Sequence, residues 1–280
     1  MAETVLKPLS GVRVLNLALN LPGPAAARRL HELGAEVVKV EPPSGDPMQI
    51  YQEQWYREMA EGHTLVTIDL KSEQGRREME ELLTGCDLLI TASRPAALER
   101  LSLDWPGLHR RFPRLCQVAI VGFPSPRENE AGHDLTYQAN LGLLAPPQMP
   151  RTLLADMAGA EETVSSALML LLARERGQGA SYAEVALSES AARMAEPLRY
   201  GATATGALLG GGIPEYNIYQ AREGWVAVAA LEPHFKKRLE GELALAGVAD
   251  YRQAFLAKSS GEWEAWAQER DIPIVAVAAG

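Results

Sequence analysis

A histidine stands beside an aspartate in Gly132-His133-Asp134, inside a stretch rich in glycine and proline. Histidine titrates near neutrality, so such a pair in a long irregular segment suits general acid–base work. A plain surface-loop histidine carries the same signature. Farther on, Leu153-Leu154-Ala155-Asp156 runs into an alanine- and leucine-rich stretch. An aspartate there is first of all a helix N-cap. The helix dipole would hold it ionised, and an ionised carboxylate at a helix start is a usable nucleophile or base, so the two readings are compatible. Glu232 follows an apolar strand-like run and precedes Pro233-His234-Phe235; it too could cap. Gly210-Gly211-Gly212, ahead of Pro214 and Tyr216, reads as a linker or as a mobile loop over a site. Glu41 ends a strand where an acid could bind a ribose hydroxyl. The preceding turn is Leu19-Asn20-Leu21-Pro22-Gly23-Pro24, not Gly-x-Gly-x-x-Gly. Without those glycines the backbone cannot approach a pyrophosphate, which argues against NAD or FAD.

The elements that must position these groups alternate along the chain. Residues 12–17 read as a strand broken by Pro22-Gly23-Pro24, residues 25–33 as a helix stopped at Gly34, and residues 36–40 as a second strand. Strand, helix, strand at this length is a βαβ unit with a right-handed crossover. Strands follow at 65–70, 87–91, 115–121 and 182–187, with helices at 72–83, 96–101, 105–111, 157–176 and 188–198. Residues 121–150 read as mostly irregular. The pattern predicts an α/β fold: a Rossmann-like large domain with a parallel sheet over residues 1–200, a linker at 201–212, and a smaller C-terminal α/β domain at 213–280. In the last, residues 225–230 read as a strand and 234–245 and 261–270 as helices.

The chain has 280 residues, 47% hydrophobic, with a net charge of −9. That length fits one large and one smaller domain, and the charge argues against nucleic acid as a partner. The two cysteines, Cys86 and Cys116, lie in or beside apolar strand-like runs, as buried free thiols of a reducing compartment do. No metal-ligand spacing occurs, the first residues have no leader-like apolar core, and no aliphatic run is long enough to cross a bilayer. The expectation is a soluble cytoplasmic protein with no membrane partner.

The order of several short motifs resembles the class III CoA-transferase (CaiB/BaiF) superfamily, closest to its α-methylacyl-CoA racemase branch. They are Pro8-Leu-Ser-Gly-Val-Arg-Val-Leu15, Pro22-Gly-Pro, Leu33-Gly-Ala-Glu-Val-Val-Lys-Val-Glu41, Val66-Thr-Ile-Asp-Leu-Lys71, Ser93-Arg94-Pro95, Gly132-His133-Asp134, Ala155-Asp156 and Leu172-Leu-Ala-Arg-Glu-Arg-Gly177. The resemblance implies an enzyme acting on acyl-CoA thioesters, with coenzyme A entering as part of the substrate and no covalently bound cofactor. In the racemase branch Asp156 and His133 would exchange the α-proton, with Glu232 supplied by a partner subunit of a homodimer. In the transferase branch Asp156 would attack the thioester and pass CoA to another acid. The resemblance further implies CoA contacts from Lys39, Arg94, Asp134 and Tyr137.

Departures from the pattern matter too. The family carries a basic stretch just before its Thr-x-Asp-Leu-Lys strand; here it is Ala60-Glu61-Gly62-His63-Thr64-Leu65. Losing two or three phosphate contacts at ~1.5–3 kcal/mol each weakens CoA binding by orders of magnitude. The loop before Gly132 is also changed. Relatives continue past the place of Ile272-Pro-Ile-Val275 and return to the large domain, closing an interlocked ring; this chain is expected to be a truncated, open version of that interlocked-dimer fold. A shortened homologue that binds acyl-CoA poorly, or serves as a subunit or regulator, is the third reading.

Overall fold

The computed structural model describes residues 6–243, 245 and 248–278, so the reading of the first residues as leader-free and the very end of the chain fall largely outside it. Six strands form one parallel sheet: β1 (Arg13–Asn16), β2 (Glu36–Glu41), β3 (Thr64–Thr67), β4 (Leu88–Thr91), β5 (Cys116–Val121) and β6 (Tyr182–Ala186). Their spatial order is β3-β2-β1-β4-β5-β6, the doubly wound order in which the chain reverses direction between β1 and β4. β4 and β5 are buried along their whole length, as expected for central strands covered on both faces.

Helices cover the two faces. They are α1 (Pro22–Glu32), α2 (Met48–Tyr51), α3 (Glu53–Met59), α4 (Glu73–Leu83), α5 (Pro95–Arg100), α6 (Trp105–Arg111), α7 (Asp134–Asn140), α8 (Leu154–Ala173) and α9 (Leu187–Met194). On one face Ala27 and Leu30 of α1 meet Ala160 and Ala167 of α8 over Val14 and Val118. On the other, Met79 and Leu83 of α4 pack over Leu15 and Leu89 with Leu98 and Leu108. Side chains alternate across each strand, so neighbouring residues feed opposite cores.

Several expected boundaries moved. Pro22-Gly23-Pro24 does not break the chain ahead of α1 but opens it, because proline at the first helical position forfeits no intrahelical bond. α8 starts three residues earlier than expected, at Leu154. α7 lies inside the stretch expected to be irregular.

The chain divides into two compact units, residues up to Met194 and residues from Ala195 onward. The second holds α10 (Glu196–Arg199), an antiparallel sheet of β7 (Tyr216–Gln220), β8 (Trp225–Ala229) and β9 (Ile274–Ala276), and α11 (Pro233–Leu243), α12 (Val248–Phe255) and α13 (Ser260–Gln268). Its own core includes Tyr219, Val226, Leu239, Phe255 and Trp263. The glycine-rich stretch expected as a linker is an ordered part of this unit. Leu208–Gly212 forms a π-helical turn, Leu209 N donates to Ala202 O at 3.1 Å, and Asn217 Nδ2 donates to Gly211 O at 3.0 Å. Backbone hydrogen bonds, not chain freedom, define that segment.

Candidate functional site

The segments following β1, β4 and β5 enclose a cavity of roughly 630 Å3, at the carboxyl edge where the sheet order reverses. That edge is where open parallel sheets bind ligands. Its chemistry-bearing walls are Arg94, Glu128, Glu130, His133, Tyr137 and Asp156. Four of the residues expected from sequence therefore meet there: His133, Asp156, Arg94 and Tyr137.

Asp156 is the third residue of α8, within its first turn. The helix forms because its buried stripe, including Ala155, Ala160, Thr163 and Ala167, packs against the sheet while small residues let it come close. The expected N-cap role of Asp156 is not what the structure shows. Asp134, from α7, reaches across instead: its Oδ1 accepts from Ala155 N at 2.6 Å and from Asp156 N at 3.2 Å. Its Oδ2 accepts from Gln138 Nε2 at 2.6 Å, and that amide also donates to Thr152 O at 3.2 Å. Asp134, expected to contact CoA, is 4% exposed, does not line the cavity, and caps a neighbouring helix.

This arrangement also overturns the expectation that the helix dipole keeps Asp156 fully ionised. The amides that would stabilise its charge are occupied by another carboxylate. Burial, the negative charge of Asp134 and, in the opposite sense, His133 push the Asp156 carboxyl up to about 6.

His133 stands just before α7. Its backbone amide donates to Thr136 Oγ1 at 3.1 Å and its carbonyl accepts from the same hydroxyl at 2.7 Å, which fixes the turn that carries its ring to the cavity. Tyr137 is 1% exposed, stands edge-on to Phe123 at 5.2 Å, and has its phenol pushed up by burial, then by Asp156 and Asp134. A Cβ at Gly122 or Gly132 would lie 2.5 Å from the Tyr137 hydroxyl, so both positions need glycine for the tyrosine to reach the wall.

Arg94 is exposed at the start of α5, and its guanidinium has no ion pair or hydrogen bond among the described residues. Lys39 has a different task from the one expected. It is 2% exposed and bonds Asp46 at 2.6 Å and Glu41 at 3.0 Å, away from the cavity wall. A lysine already bracketed by two carboxylates is not a free phosphate ligand. Glu232 is exposed, immediately before α11, and belongs to the second unit.

Sequence reasoning missed Glu128 and Glu130, which line the cavity from the changed loop before Gly132. Arg127 is paired with Glu130 at 2.7 Å. One oxygen of Glu128 is buried with no hydrogen-bond partner among the described residues. The one available signal was the density of acids in Arg127-Glu-Asn-Glu130. Among the described residues no cluster of three or more His, Cys, Asp or Glu is placed to hold a metal, and no helix is long and apolar enough to cross a membrane.

The family model for CoA-transferase family III matches residues 9–278. Succinyl-CoA–D-citramalate CoA-transferase of Chloroflexus aurantiacus is 30% identical over 80% of this chain and 62% of its own length. Human α-methylacyl-CoA racemase is 29% identical over 85% of this chain and 65% of its own. The chain thus spans less than two thirds of either relative. The crystal structure of a hypothetical protein from Mycobacterium tuberculosis superposes with a TM-score of 0.85 at 26% identity, over 99% of this chain and 86% of that one.

Proposed function

This chain belongs to CoA-transferase family III, and we propose that it acts on acyl-CoA thioesters by moving the α-proton between Asp156 and His133. The observation that carries the reading is that both side chains line one cavity, with the Asp156 carboxyl raised to about 6. A group that titrates near the working pH both takes and returns a proton readily.

One of the pair removes the α-proton. The C–H electron pair moves onto the thioester carbonyl oxygen as an enolate, and the other group returns a proton to the opposite face. Atoms and charge balance without any cofactor, and coenzyme A enters as part of the substrate. The enolate oxygen needs a donor other than the Ala155 and Asp156 amides, because Asp134 already occupies both. Arg94 is the cation on the cavity wall suited to a CoA phosphate. Glu232 would complete the site from a second copy of the chain, which makes a homodimer the working assembly.

In heavy water with an acyl-CoA, the native protein should exchange the α-hydrogen, read by mass spectrometry. Asp156→Asn should lower that rate by about 10²–10⁴-fold with the fold intact. Undiminished exchange in the variant would sink the reading.

A second reading is CoA transfer. Here an Asp156 oxygen attacks the thioester carbonyl and the CoA thiolate leaves, giving an acyl-aspartyl anhydride; the thiolate then attacks the aspartyl carbonyl, which releases the first acid and leaves CoA as a thioester on Asp156, and a second acid takes CoA by the same two steps in reverse. The transferase among the relatives and the partly desolvated Asp156 carboxylate favour it. Hydroxylamine trapping of an acyl-linked Asp156, without α-hydrogen exchange, would select it over proton transfer.

A further inference from the structure

We infer that Asp134 is a positioning residue that holds His133 and Asp156 in register, acting as a clamp between α7 and α8. The inference rests on the reading of those two side chains as the proton carriers.

The geometry is specific. Asp134 follows His133 directly in the chain, so its backbone sets where the imidazole begins. Its carboxylate accepts the amide protons of Ala155 and Asp156, so the same residue sets where the acid begins. Gln138 secures the other carboxylate oxygen and ties it to Thr152 O, in the segment leading into α8. The clamp is 4% exposed and takes no part in the cavity wall. A helix cap supplied by a distant part of the chain, at a helix start whose first turn presents an acid to the cavity, does more than end a helix. It fixes the separation of two groups that must address opposite faces of one carbon, where a 1 Å error costs about 10²-fold in rate.

The clamp also brings a negative charge close to Asp156. The other titratable or charged groups that share the cavity with Asp156 are His133 and Tyr137 from the α7 region, Glu128 and Glu130 from the loop before it, Arg94 from the start of α5 and Tyr51 at the end of α2. On α8 itself the next acids, Glu161 and Glu162, line a different groove.

Two variants separate geometry from charge. In Asp134→Asn the amide oxygen still accepts from Ala155 and Asp156, while the charge is lost and the Gln138 tie to Thr152 is given up, because Gln138 must turn its oxygen toward the new amide. In Asp134→Ala both the anchor and the charge are gone. The direct readout is the Asp156 carboxyl titration, followed by carbon NMR of aspartate-labelled full-length protein, which requires no turnover. The second readout is the pH profile of α-hydrogen exchange. The clamp predicts that D134N moves the Asp156 titration down by about one pH unit and shifts the acid limb of the profile with it. It predicts that D134A lowers the plateau rate at least about tenfold below that of D134N, with kcat falling more than KM. An Asp156 titration unmoved in D134N, or equal plateaus in the two variants, would overturn it. If D134A does not fold, Asp134→Glu takes its place: it keeps the charge but displaces the anchor, and a plateau equal to that of D134N would overturn the clamp. A shifted titration in a protein whose native form exchanges no α-hydrogen would support the clamp and reject the proton-transfer reading instead.

Discussion

Asp156 holds its charge at a cost. Its carboxyl is raised from 3.8 to about 6, so the protein is destabilised by ionising it. The sign follows from the direction of the shift: the stability contribution is whole below the unfolded value and is lost as pH rises through the folded one. At about 1.4 kcal/mol per pH unit, discounted for partial exposure to solvent, the cost at neutrality is about 1–2 kcal/mol. Asp156→Asn should therefore be more stable than the native protein by that amount in urea denaturation at pH 7.5, and the advantage should fade between pH 6 and 4. A constant advantage across that range would mean that ionisation is not its source. The position of Asp156 was legible in the sequence, because an acid at the onset of a long apolar helical run has few other places to be. Its titration was not, because both raising causes come from tertiary structure: burial, and a carboxylate 22 positions away in the chain.

At the scale of elements, Lys39 shows that a strand is legible in sequence where the partners of its side chain are not. Glu36–Glu41 forms the expected strand. A lysine among valines in a parallel strand must either reach an end or find acids indoors. It finds Glu41 on its own strand and Asp46 in the following loop. Asp46 also accepts from Asn20 N and Met48 N, both at 3.0 Å, and Tyr56 donates to Glu41 at 2.8 Å. The network thereby anchors Asn20, Pro47 and Met48, which form part of the cavity wall. Nothing in the local spacing announces Asp46 as the partner. Lys39→Met leaves two acids without their cation, so it should cost about 3–5 kcal/mol in urea denaturation at pH 7. A loss under 1 kcal/mol would mean that water reaches these acids. α7 was missed for a related reason. Its helix is short, and its start is secured by Thr136 and by the pull of Asp134 on α8, neither of which a periodicity reading detects.

For the whole molecule, alternating strands and helices made the doubly wound sheet legible, since parallel neighbours require crossovers and crossovers have one hand. The second unit was harder. β7, β9 and α12 escaped notice because short antiparallel strands and a short helix leave weak periodic signals. Its sheet leaves one face apolar and open, with Ile218 60%, Trp225 50% and Val275 53% exposed. Monomers seldom keep such a patch, which supports the proposed homodimer. Light scattering at micromolar concentration should give about twice the 30.4 kDa chain mass, and a monomer there would remove Glu232 from the site. The cavity, for its part, draws its wall from points as far apart as Leu17 and Leu187. During synthesis the emerging chain therefore has no complete cavity wall until Leu187 leaves the ribosome and docks. A nascent chain that stops short of Leu187 holds pieces of the wall but cannot enclose a ligand between them.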